Sequence, residues 1–422
     1  MNNKITLLIL FILFPFSTIL IDMIFIGKYE NISYLVKTIT IFLLFFIIIL
    51  YKKKGWNDEI SKRFILLTIS WSLPYILHLI KFSLDYNYVD FGSIKEILRI
   101  ISIFIVIIIL KRSYPNETDV LFLGRWLFIS GFVIGIFSIY FSKNYFPEQL
   151  AYMKVTDYVR AGIEISDPNM LAVFFNICFF PALGFLIIEK AFIKKLFFMI
   201  SILVIILGRA HTFSNAGWIG MIIGSISLLL ILDKKYKKIA FKYLSILAIC
   251  FFILIYALNI NKTILYRLLL SDKYVRQSSI ESRLLQYSAL KELLSKKPYL
   301  ILTGIGSTPE QPEIYQANEM TLHNSFLRPL LVGGLIAFLS YILINIEITI
   351  IFVKAYKNYK NIRKDVYLLI MCFFSSYVTW AFQSLTIPAE SSIFTLFFIS
   401  LSYYIYLLGL KMGLNHKIID IK

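Results

Sequence analysis

Five side chains of this sequence combine chemical capability with an unusual setting. Arg160 lies in a polar stretch shortly before an apolar run that opens with Ser166-Asp167-Pro168-Asn169. Arg209 closes another apolar run, in Gly208-Arg209-Ala210-His211. Arg283 lies in a long polar segment that ends in His323-Asn324-Ser325, with Arg328 four residues after Asn324. Arginine is a permanent cation whose donors fork onto oxyanions. Histidine exchanges protons near neutral pH. Such groups suit an anion and a proton transfer better than a bound metal.

Plainer explanations stand beside each. Asp167-Pro168 reads as an N-cap and first-turn pair that starts a helix. Arg209 has the position of a residue that snorkels to the membrane boundary. Trp218 reads as an interfacial anchor and His211 as a solvated turn residue. Arg160 is equally well a solvated loop charge. A lone histidine is usually structural, but His323 sits beside Asn324 and Arg328, which tips it toward function.

The elements that position these residues are membrane spans. Hydrophobic residues make up 59% of the 422, and mean hydropathy is +0.76. Apolar runs of bilayer length recur from end to end, continuous in Ile, Leu and Phe rather than alternating, so the expected fold is all-α and polytopic. About twelve spans are expected, near 5–26, 34–51, 64–82, 94–110, 120–141, 169–188, 195–208, 216–232, 242–260, 324–353, 366–384 and 392–410. The first lacks a cleavage site and reads as a retained span. Lysine and arginine crowd the loops after spans two, four, six, eight and ten, as in Lys52-Lys53-Lys54, Lys190 with Lys194-Lys195, and Lys234-Lys235. The positive-inside rule then puts both termini in the cytoplasm. The net charge of +18 is explained by these loops and by attraction to anionic lipid, not by nucleic acid. Cys178, Cys250 and Cys372 all fall inside apolar runs, the four histidines are scattered, and no nucleotide loop occurs, so no metal and no cofactor is expected.

The chain is expected to form one integral membrane domain interrupted by a single large polar loop, residues 261–322, outside the cytoplasm. Within it, residues 281–297 place Leu284, Leu285, Tyr287, Leu290, Leu293 and Leu294 at near-helical spacing among charges. That is an amphipathic helix suited to a membrane face, ended by Pro298. Gly304-Ile305-Gly306 then supplies a tight turn. Asn324 and Arg328 share a face if helical, although Pro329 favours a helix starting at Pro329.

The order of these motifs resembles the bacterial O-antigen polymerase and O-antigen ligase superfamily. The likeness runs from Arg160-Ala161-Gly162 and Asp167-Pro168-Asn169-Met170-Leu171-Ala172 through the Ser214 turn. It continues with Glu281-Ser282-Arg283, Gly304 and Gly306, His323-Asn324-Ser325-Phe326-Leu327, and Gly333-Gly334. It covers residues 155–345 by motif and the remainder by span count. Two departures stand out. Members often carry Ser-Arg-Gly where this chain has Ser214-Asn215-Ala216, so that arginine's role falls to Arg209 or is absent. An aromatic that is often Trp is Tyr287 here.

The resemblance implies a type C-like membrane glycosyltransferase that uses an undecaprenyl-diphosphate-linked oligosaccharide outside the cytoplasm of a bacterial inner membrane. It implies Arg160 and Arg283 in catalysis and Arg209, Arg328, Asn324 and Asn169 in substrate binding. The arginines would stabilise a diphosphate leaving group without a metal, and His323 would activate the acceptor hydroxyl. A polymerase is favoured over a ligase that transfers to lipid A–core, with a polysaccharide chain-length regulator as a possible partner. A non-catalytic transporter of lipid-linked oligosaccharide is the rival from another class, although the unlike halves and the single large loop argue against its usual internal repeats.

Overall fold

The computed structural model describes residues 58–86, 91–144, 168–212, 214–257, 273–306, 324–359, 362–386 and 393–413, and every regular element among them is a helix. In chain order these are α1 (Glu59–Tyr86), α2 (Phe91–Lys111), α3 (Glu117–Asn144), α4 (Pro168–Ile188), α5 (Phe192–Ala210) and α6 (Asn215–Ile231). They continue with α7 (Lys234–Ala257), α8 (Lys273–Lys296), α9 (Leu300–Thr303), α10 (Arg328–Asn358), α11 (Lys364–Gln383) and α12 (Ile393–Lys411). Six of the described helices are long and apolar enough to cross a membrane, on α1, α3, α4, α10, α11 and α12. The runs expected at 94–110, 195–208, 216–232 and 242–260 also form helices, namely α2, α5, α6 and α7. The spans expected at 5–26 and 34–51 lie outside the described residues.

The chain divides into two compact units. One holds α3 to α7 and α11. Its centre is α4, packed by α3, α5, α6, α7 and α11. A helix apolar on every side must be covered on every side, and Leu171 through Leu186 are buried almost without a break. The turn from α4 to α5 is closed by Glu189, whose carboxylate accepts Ala191 N–H at 3.0 Å and Lys190 N–H at 2.9 Å. Those two backbone donors hold its pKa below the usual carboxylate range.

The other unit holds α1, α2, α9, α12 and most of α8 and α10. Asp58 caps α1, accepting Ser61 N–H at 2.6 Å, and also accepts the Tyr403 hydroxyl of α12 at 2.8 Å. The amphipathic α8 buries Leu290 and Leu293 in one cluster with Leu300, Ile305 and Leu331. The polar segment is therefore tied to a span by apolar packing as well as by sequence.

Helix α10 is broken at Gly334, where φ is +69°. In a continuous helix, the carbonyls of Leu331 and Val332 would accept from residues four further on. The break frees them, and they accept Ile305 N–H at 2.8 Å and Gly306 N–H at 3.0 Å instead. Non-helical backbone at membrane depth requires such substitute partners. Gly304 and Gly334 both have positive φ, and a Cβ on Gly334 would overlap the Leu302 carbonyl, so only glycine fits there.

Candidate functional site

The residues singled out by sequence divide between the two units, and each group has its own geometry. In the first, Arg209 ends α5 and is 1% exposed. It does not snorkel. Its Nε donates to Asn176 Oδ1 on α4 at 3.1 Å, and Nη2 reaches the Ser214 carbonyl at 3.5 Å. The guanidinium carbon lies 3.7 Å from the centroid of the Trp218 ring. Trp218 thus stacks on a cation at the start of α6. Nη1 is buried and has no acceptor, and no carboxylate pairs with the side chain, among the described residues.

The surroundings are built from neutral polar groups. Asn176, itself fully buried, donates from Nδ2 to the Gly217 carbonyl and to Gln383 Oε1 on α11, both at 3.0 Å. Ser214 caps α6, accepting Gly217 N–H at 3.1 Å, and donates to Asn169 Oδ1 at 2.7 Å. Asn169 is therefore placed at this cap, at the start of α4. Helix α6 approaches closely because Gly217 carries no side chain: a Cβ there would come 2.8 Å from Arg209 Nη2. His211, expected as a solvated turn residue, is instead 9% exposed, with Nδ1 2.7 Å from the Leu207 carbonyl one turn back.

In the second unit, Asn324 closes the turn that leads into α10. Its Oδ1 accepts Phe326 N–H at 2.9 Å and Leu327 N–H at 3.1 Å, and its Nδ2 donates to the Tyr287 hydroxyl of α8 at 3.3 Å. Arg328 is the first residue of α10, one before the position that Pro329 favoured, and its N–H bonds to the Asn324 carbonyl at 2.9 Å. The Arg328 guanidinium stands 3.8 Å from Glu96, which also holds Arg99 at 2.9 Å. Arg328 thus has a counter-ion, and Arg209 has none among the described residues. Close by in this unit, His78 Nε2 lies 2.7 Å from the Thr303 carbonyl.

Arg160 and His323 lie outside the described residues. Arg283 lies on α8, but its side chain is outside the description too. Asn176, Gln383 and Glu96 went unnoticed in the sequence. Asn176 left one signal, a lone amide between Phe174-Phe175 and Ile177 inside an apolar run, where a polar residue needs a buried reason.

Residues 196–342 match the family model described as O-antigen ligase (Wzy_C). The match supports a likeness of this region to the O-antigen ligase and polymerase superfamily. Within the O-antigen ligase region lie Arg209, Ser214, Trp218, Arg283, His323, Asn324 and Arg328, while Arg160, Asn169, Asn176 and Gln383 fall outside it. No match was found among curated proteins. Family and helices together support a multi-pass membrane protein and a glycosyltransferase-like enzyme of O-antigen processing.

Proposed function

We propose that the protein polymerises undecaprenyl-diphosphate-linked oligosaccharide repeat units into a surface polysaccharide, outside the cytoplasm and at the bacterial inner membrane. The single observation that carries this reading is Arg209, a cation buried at the end of a span without a carboxylate partner among the described residues. An uncompensated buried charge costs several kcal/mol. A site that tolerates this has reason to receive an anion, and a diphosphate is the anion that the family's chemistry supplies. Guanidinium donors meet phosphate oxygens two at a time, so charge building on the leaving group is stabilised as the sugar–phosphate bond breaks. The acceptor hydroxyl attacks the anomeric carbon, the carrier diphosphate departs with the electron pair of the broken C–O bond, and the hydroxyl proton passes to a base. His323 is our candidate for that base. Arg160 and Arg283 are proposed in catalysis as well, and Arg328, Asn324 and Asn169 in substrate binding. No metal or cofactor takes part in this scheme. A chain-length regulator is the proposed protein partner, and both termini face the cytoplasm.

The family description itself favours a second reading, in which the acceptor is a lipid A–core sugar and the protein is a ligase. One experiment tests both. Purified protein in detergent is mixed with undecaprenyl-diphosphate-linked repeat units, with or without lipid A–core. Chain growth from repeat units alone, lost in Arg209→Ala and in His323→Ala, is the expected result. Transfer only when lipid A–core is present would replace polymerase by ligase. No transfer to either acceptor by folded, donor-binding protein would leave transport of the lipid-linked glycan as the function.

A further inference from the structure

We infer that Asn176 and Gln383 are positioning residues that hold Arg209 by neutral groups alone, so that its buried Nη1 donor is left for the diphosphate and not for a carboxylate of the protein. The inference rests on the reading of Arg209 given above. Fixing a buried arginine in place calls for an acceptor at Nε, and a carboxylate would do this most strongly. The fold uses an amide instead. Asn176 Oδ1 takes the Nε proton at 3.1 Å, while its Nδ2 is held at 3.0 Å by both Gln383 Oε1 and the Gly217 carbonyl. These two acceptors settle which way the Asn176 amide faces, because only the oxygen is then left to meet Arg209. Trp218 covers the guanidinium at 3.7 Å and contributes no charge. The result is a cation fixed on one edge, with Nη1 buried and without an acceptor among the described residues.

A neutral cradle has a definite electrostatic meaning. An Asp at 176 would keep the hydrogen bond to Nε and add a counter-ion in contact with the guanidinium. The guanidinium would gain a partner, but the second carboxylate oxygen could not make the donations of Asn176 Nδ2 and would face the Gly217 carbonyl and Gln383 Oε1 instead. Anion binding would suffer, because a negative charge would stand within a few ångströms of the incoming phosphates in a medium of low dielectric. Gln383→Glu adds its charge while Oε1 still accepts from Asn176 Nδ2, so there anion binding falls while folding is kept. A merely structural amide has no reason to separate the two.

The test uses the full chain in detergent, with undecaprenyl diphosphate as the probe, and measures thermal unfolding and probe affinity together. Asn176→Asp should bind the probe at least about tenfold more weakly, at an unfolding temperature lowered by the loss of its two Nδ2 hydrogen bonds. Gln383→Glu adds the same charge one amide further away and keeps the bond from Asn176, so it should bind more weakly at an unfolding temperature equal to or above that of the natural protein. Undiminished affinity in a folded Asn176→Asp protein overturns the inference. If that variant does not fold, undiminished affinity in Gln383→Glu overturns it. Destabilisation of Gln383→Glu with undiminished affinity overturns it as well, since the cradle would then serve packing alone. Arg209→Ala separates the two levels of the argument. If that variant binds the probe normally, the anion reading of Arg209 is at fault; if only the two acidic variants do, the cradle inference is.

Discussion

Replacing Gly217 by alanine should uncouple activity from folding, because one added methyl group meets Ala172 and Arg209 most closely and Gln383 Nε2 at 3.2 Å. Its Cβ would stand 2.8 Å from Ala172 Cβ and 2.8 Å from Arg209 Nη2. Both are about 0.7 Å short of ordinary contact between heavy atoms. Overpacking of this kind costs about 1–3 kcal/mol, and the better helix propensity of alanine returns up to about 1 kcal/mol. The net loss of stability is thus about 1–2 kcal/mol, a fall of a few degrees in unfolding temperature. A fluorogenic thiol reagent can follow unfolding, because Cys178 and Cys372 are buried. Function should suffer more. The guanidinium must shift by several tenths of an ångström to admit the methyl group, and displacement of that order at a reacting centre costs up to about 100-fold. Gly224→Ala is the control, since its Cβ would strike Thr379 and Phe180 and not Arg209. We expect Gly217→Ala to lose at least about tenfold in glycan transfer relative to Gly224→Ala when both are assayed well below their unfolding temperatures. Equal activity of the two variants would refute the placement of Arg209 in the reaction.

Two further predictions concern the rest of the chain. Gly334→Ala forces an L-residue to a φ of +69° against the Leu302 carbonyl, so it should destabilise the protein by about 2 kcal/mol or more and lower its level in membranes, checked by the same thiol assay. For topology, Lys53→Cys should resist an impermeant thiol reagent in intact cells while Gln311→Cys reacts, and labelling of Lys53→Cys would reverse the orientation.

Helix positions were legible because apolar runs of bilayer length have few other folds open to them, and α4, α10, α11 and α12 fall within a few residues of the expected spans. The amphipathic stretch was legible in part: a helix forms there and Leu290 and Leu293 are buried, but in a cluster with Leu331 of α10, while Leu284 and Leu285 of the same pattern are exposed. The setting of Arg209 was not. Its Nε partner Asn176 is 33 residues away, and that residue's own partner Gln383 is 207 residues further along the chain. Local pattern shows where an arginine lies along a helix, but not which distant amide will cover it. His211 was misjudged because a turn residue reads as solvated until its ring is seen folding back onto the carbonyl of Leu207. The pair Gly333-Gly334 stood out as a motif, yet nothing local announced that the helix would open there to receive the backbone of Ile305 and Gly306.

That opening bears on the order of biosynthesis. Ile305 and Gly306 leave the ribosome before Leu331 and Val332, whose carbonyls they bond. Those carbonyls are on offer only because Gly334 prevents their own helix from using them. While it is being made, the segment ending at Gly306 therefore has the earlier-made contact from His78 to the Thr303 carbonyl, but not these two backbone bonds. It waits for the start of α10 to be synthesised, and a nascent chain halted before Leu331 lacks the acceptors altogether. Fastening of the polar segment is in this sense a late event of assembly, timed by the translation of its anchor.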